Sequence, residues 1–112
     1  MAHWWQTTPW RMVQTNLPEQ AMAGIDAEQF AQSLEEFGAT VVNLNAAGII
    51  ASYPTKLDFQ PQSRYLTGDS LLDLVNACHR HGIRFIARTD FSRIRREVYE
   101  RHPDWAARLG DG

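Results

Sequence analysis

The sequence has a single cysteine, Cys78, so no internal disulfide can form. It has no uninterrupted apolar run approaching the ~18 residues that a membrane-spanning helix needs. It has little excess of either charge, with a formal net charge of −2. That balance creates no long-range field to draw in nucleic acid or an anionic membrane surface. The opening stretch, MAHWWQTTPW, has no basic segment followed by an apolar one, so it does not read as a signal peptide. With the lone cysteine, this gives an expectation of a cytoplasmic setting. No glycine-rich phosphate loop and no Gly-x-Ser-x-Gly elbow occurs, so no nucleotide cofactor and no serine nucleophile of that type is expected.

What remains is ordinary globular material. Hydrophobic residues make up 44% and charged residues 21%, a balance that can build a core and excludes a disordered tail. The length, 112 residues, suits one small domain.

Hydrophobic periodicity orders the chain as β-α-β-α-β-α. Arg11 to Asn16 alternates and then meets Leu17-Pro18, which predicts a short strand ended by the proline. Asp26 to Phe37 predicts a helix. Asp26 can cap it with Gln29 in capping-box spacing, and Ile25 and Phe30 can staple it. Phe30, Leu34 and Phe37 form its apolar face, and Gly38 stops it. Thr40 to Asn45 is a second strand. Ala46 to Asp69 is a long connection, of the kind that tends to be functional. Ser70 to His81 is a second helix, with Ser70 and Asp73 in capping-box spacing and Leu71, Leu74, Val75 and Cys78 as its stripe. Ile83 to Asp90 is a third strand. A third helix is expected from about Arg93 to Arg101, broken by His102-Pro103.

Such alternation implies an α/β fold with a parallel sheet. Three parallel strands leave two free edges and one uncovered face. A (β/α)8 barrel runs to about 250 residues. The sequence closes on Gly110-Asp111-Gly112, a turn signal. The expectation is therefore that residues 1–112 are the N-terminal portion of a TIM barrel, about three βα units.

Side chains alternate along a strand. Gln14 and Asn16 share a face, as do Asn43 and Asn45, and Arg88 and Asp90. Val13, Val42, Leu44, Phe85 and Ala87 point the other way. Each strand thus carries a polar pair toward its C-terminal end, where a barrel builds its active site. Two readings stand side by side: these groups face a substrate, or they satisfy one another, as Arg88 could with Asp90 or Asn43. Tyr53 and Lys56 on the long loop offer a stacking face and a charged donor, or they simply pin the loop. Trp4, Trp5 and Trp10 suit a plug at the bottom of the barrel better than a sugar platform. Cys78, His79 and His81 lie on one helix, and a metal site would need ligands from elsewhere. The arginines from Arg93 to Arg101 alternate with Glu97 and Glu100 as a solvated helix face.

A set of blocks in order carries a resemblance. These are Trp10 to Asn16, Asn43 to Ala51, Tyr53 to Leu57, Arg88 to Ser92, Glu97 to Tyr99 and His102 to Trp105. Together they resemble the bacterial family called hypothetical glycosyl hydrolase 6, TIM-barrel proteins similar to α-L-fucosidases, some with β-galactosidase-trimerisation-type domains downstream. The resemblance spans Trp10 to Asp111. It implies hydrolysis of glycosidic bonds on a carbohydrate substrate. Such chemistry uses two carboxyl groups, ~5–5.5 Å apart for retention or ~6.5–9.5 Å apart for inversion. In related barrels they come from the fourth strand onward, so no catalytic pair is named here. The residues expected to bind substrate are Asn16, Asn43, Asn45, Tyr53, Lys56, Arg88 and Asp90, with Asp90 a binding group before a catalytic acid. No metal is expected. The competing possibilities are a self-associating half-barrel that binds without catalysis, and a barrel enzyme of another class, such as an aldolase or deacetylase.

Overall fold

The structure, a computed structural model, describes residues 1–111. Only Gly112, the last residue of the expected closing turn, lies outside them. The fold is mixed α/β around a three-stranded sheet in the order β1-β2-β3. The strands are β1 (Met12–Thr15), β2 (Val41–Gly48) and β3 (Arg84–Asp90), and both pairings are parallel. The helices are α1 (Trp4–Thr7), α2 (Glu19–Ala23), α3 (Ala27–Phe37), α4 (Ser70–Arg80) and α5 (Arg96–Arg101), followed by a 3-10 turn at Pro103–Trp105.

The predicted strands and main helices are present with their ends adjusted. Asp26 caps α3, its Oδ1 accepting from the Gln29 N–H at 3.0 Å. Gly38 ends α3 in the left-handed conformation at φ 92°, which glycine adopts without strain. The cap of α4 is Asp69 rather than Ser70. Asp69 Oδ1 accepts from the Leu72 N–H at 3.0 Å, and Ser70 is the first helical residue, its buried hydroxyl without a partner among the described residues. A carboxylate there also suits the positive end of the helix dipole. The third helix starts at Arg96, because the chain first makes a turn in which the Ser92 N–H donates to Asp90. Two short helices, α1 and α2, have too little periodicity to be read from sequence.

One face of the sheet carries the core. Val13, Val42 and Phe85 stand in register across the three strands, and Leu44 stands beside Ala87. α3 and α4 cover this face with Ala31, Leu34, Ala77 and Cys78, while Met22 of α2 packs with Leu44 and Leu74. Phe30 and Phe85 touch both groups and join them. Phe37, expected on the buried stripe of α3, is 80% exposed. It is the last residue of α3 and is not part of either core cluster.

The other face holds Met12, Gln14 and Arg84, all exposed. At the N-terminal end of the strands, Trp4 packs edge-on against Trp5 and Trp10, and the Arg84 guanidinium lies over its ring at 5.3 Å. The tryptophans therefore sit at the opposite end of the sheet from the C-terminal strand ends.

Cys78 is fully buried, and burial pushes its thiol up to about 11. It belongs to the core with Ala31, Val42 and Ala77, and a thiol so shifted is protonated near neutral pH. His81 ties α4 to α3. Its Nε2 meets Glu28 Oε1 at 2.5 Å and its Nδ1 meets Glu35. These two carboxylates raise the His81 pKa above the ordinary histidine value, and His81 and Arg80 lower that of Glu28. The histidine contribution is thus complete below about pH 6.5 and is lost as pH rises through the raised value. The Glu28 contribution is lost at the other end, as pH falls through its lowered value. The urea midpoint should therefore drop as pH rises from about 6.5 through the raised His81 value. His81→Gln should flatten that slope, and an unchanged slope in the variant would remove His81 as its source.

Candidate functional site

The site forms where the C-terminal ends of the three strands meet the loops that follow. Register makes Asn45 the direct partner of Arg88, with Asn16 one residue past the last β1–β2 pair, Thr15 with Leu44. The three therefore form one polar row on the face away from the helices. Beyond the row, Gly48 stands opposite Asp90. Asn16, Asn45, Arg88 and Asp90 line a cleft of about 240 Å³, together with Glu19, Ser52, Ile49 and Ile50 among others.

Each polar group has a distinct environment. An Arg88 Nη2 donates to Asn16 Oδ1. Its Nε is buried without a partner among the described residues. So Arg88 is partnered across the sheet by Asn16, not by Asp90 or Asn43. Asn45 is engaged through both of its amide atoms: its Oδ1 accepts from the Leu17 N–H at 3.1 Å and its Nδ2 donates to the Leu17 carbonyl at 3.2 Å. That pair fastens the loop after β1 to the central strand. Asp90 Oδ1 accepts from the Ser92 N–H at 2.9 Å. Hydrogen bonds from Ser92, with the charges of Arg88 and Arg93, hold the Asp90 carboxyl below the usual range. It is therefore an ionised acceptor near neutral pH, with no proton to give.

The other expected site residues lie elsewhere. Asn43 is one row deeper, beside Gln14 and Ile86, and its buried Oδ1 has no partner among the described residues. Tyr53 and Lys56 are not among the residues lining the cleft. The long loop folds on itself through a parallel bridge between Ala51 and Gln62, backed by the Ala51 N–H donating to the Pro61 carbonyl at 2.8 Å. Tyr53 and Lys56 lie in the excursion between those two bridged positions.

Glu19 is a site residue that strand alternation could not find. It opens α2 immediately after Pro18, with a half-buried side chain. Its Oε1 accepts from the Arg64 N–H at 3.2 Å, and its Oε2 lies 3.5 Å from Arg95 Nη2. One carboxylate thus joins the segments after β1, β2 and β3 around the cleft. The only sequence signal was an acid directly after a strand-ending proline.

A polar cleft at the C-terminal ends of parallel strands is where α/β folds bind ligands. Comparison of the sequence with known families agrees in kind. The model of the family described as hypothetical glycosyl hydrolase 6 matches residues 26–112. The chain belongs to this family. The matched span holds β2, β3 and the loops around the cleft, with Asn45, Arg88 and Asp90; β1 with Asn16 precedes it. The family description points to a glycosyl hydrolase-like function. No curated protein matches the chain. No solved structure matches it either.

The Asn45 clamp leads to a direct expectation. Asn45→Ala leaves the Leu17 N–H and carbonyl without their partner and should cost about 1 to 3 kcal/mol in urea denaturation. The Leu17 amide should also exchange with solvent faster. Leu17 exchange at the original rate would show that another group holds the loop.

Proposed function

We propose that the chain is the strand-one-to-three portion of a (β/α)8-barrel glycoside hydrolase, and that its cleft binds saccharide hydroxyls. The observation that carries this reading is the row Asn16–Arg88, continued by ionised Asp90, at the C-terminal end of a parallel sheet. Arg88 presents fixed donors and Asp90 fixed acceptors. A sugar hydroxyl is both donor and acceptor, so it can bridge such a pair. Membership of the glycosyl hydrolase 6 family supports the substrate class. The barrel is supported by the all-parallel order, the two free strand edges, and the exposed apolar side chain of Phe37 on α3.

In this reading Asn16, Arg88 and Asp90 contact the sugar. Asn45 and Glu19 hold the loops, and Asn43 supports the row from beneath. Tyr53 and Lys56 reach substrate only if the long loop shifts over the cleft. Neither cleft carboxylate is free to act as the general acid. Asp90 is ionised, and both oxygens of Glu19 are engaged by Arg64 and Arg95. The proton donor of a glycosidase must then come from other strands.

A second reading rests on the free edges of β1 and β3. Copies of the chain could pair along them and close a ring, giving a binding module without catalysis.

The test combines binding, turnover and size. Calorimetry with a panel of methyl glycosides should detect binding of at least one, and Arg88→Ala should weaken it about tenfold or more, as expected for loss of charge-assisted hydrogen bonds. The chain alone should not turn over 4-nitrophenyl glycosides. Turnover by the chain alone would contradict the assignment of the proton donor to other strands. A monodisperse oligomer that binds sugar would favour the second reading, and absence of binding across the panel would overturn the saccharide site.

A further inference from the structure

Over the stretch leading to the cleft, β2 carries one residue more than β3. The register steps between Asn45, which faces Arg88, and Ala47, which faces Thr89. The extra residue, Ala46, is buried, and its carbonyl accepts from the Ser52 N–H at 2.8 Å. After the step, Gly48 meets Asp90. Gly48 is buried, at φ +117°, and its carbonyl accepts from Gln60 Nε2 at 3.0 Å. A β-carbon on Gly48 would lie 1.8 Å from the Asp90 carbonyl oxygen, 2.4 Å from its carbonyl carbon and 2.6 Å from its nitrogen. These are backbone atoms, so no side-chain rotation can relieve the overlap. Bulges of this kind re-aim a side chain beside a site.

We propose that Gly48 is a positioning residue, whose bare backbone is the surface against which the Asp90 backbone is seated so that its carboxylate enters the cleft. Asp90's importance rests on the saccharide reading above; its seating by Gly48 does not. Any side chain at position 48 must push the end of β3 outward. Asp90 then leaves its place beside Arg88, and the turn to Ser92 opens.

A second glycine provides the control. Gly82 also has positive φ, +71°, but a β-carbon there would meet nothing within 4 Å. Gly82→Ala therefore carries the cost of the backbone conformation without the collision.

The experiment is NMR on the full chain and its variants, following the Ser92 amide and the pH titration of the Asp90 carboxyl. Gly82→Ala should leave both signals in place while lowering stability. Gly48→Ala should move the Ser92 amide away from its hydrogen-bonded shift and raise the Asp90 midpoint toward that of an ordinary aspartate. A folded Gly48→Ala with both signals unmoved overturns the proposal. If Gly48→Ala does not fold, Gln60→Ala decides, since it frees the Gly48 carbonyl without touching Asp90. The Ser92 amide should then move in the same direction, and an unmoved Ser92 and Asp90 overturn the proposal. Neither signal involves a sugar, so a failure of Asp90 to bind saccharide would leave this result standing.

Discussion

The pairing of β2 with both neighbours, in one parallel register as far as Asn45, is the constraint on which the rest depends. It sets Val13, Val42 and Phe85 side by side on one face and Asn16, Asn45 and Arg88 together on the other. Because side chains alternate strictly, a slip of one residue in either pair would send polar groups into the core. Burial of the apolar row under α3 and α4 therefore fixes the polar row as well. Hydrophobic packing on one side builds the cleft on the other.

The loops then use the polar row as an anchor. Asn45 receives the segment after β1 through both its amide atoms, and Glu19 joins that segment to the Arg64 and Arg95 regions. Asn45 meets the backbone of Leu17 and Glu19 meets the Arg64 N–H, so the site's geometry is carried mainly by backbone partners. At the far end of the sheet, Trp4 packs edge-on against Trp5 and Trp10, with the Arg84 guanidinium over its ring. The molecule thus has an aromatic end and a polar end.

Much of this was legible in the residues. The caps at Asp26 and Gly38 mark α3, and two-residue alternation gave both faces of all three strands. Asn16, Asn45, Arg88 and Asp90, chosen by that alternation, share one cleft. Asn43 has the same parity but sits one row too deep, because alternation gives a face and not a depth. Tyr53 and Lys56 were chosen for lying on a long loop, and the bridge between Ala51 and Gln62 that turns them aside has no local signature. Serine favours the cap position, which points to Ser70, yet the preceding Asp69 does the same with a charge. Phe37 keeps helical spacing but has no partner across from it. Glu19 depends on contacts with Arg64 and Arg95, far along the chain, which periodicity cannot reveal. The step at Ala46 was equally hidden, since a bulge leaves composition unchanged.

The central claim is that one register creates a sugar-binding row. Amide and side-chain NMR of the labelled chain, titrated with methyl glycosides, tests it most directly. The account predicts that the signals which move cluster at the Asn16 side-chain amide, the Arg88 Nε–H and the Ser92 amide beside Asp90. Shifts confined to the indoles of Trp4 and Trp10, or none near the strand ends, would contradict it.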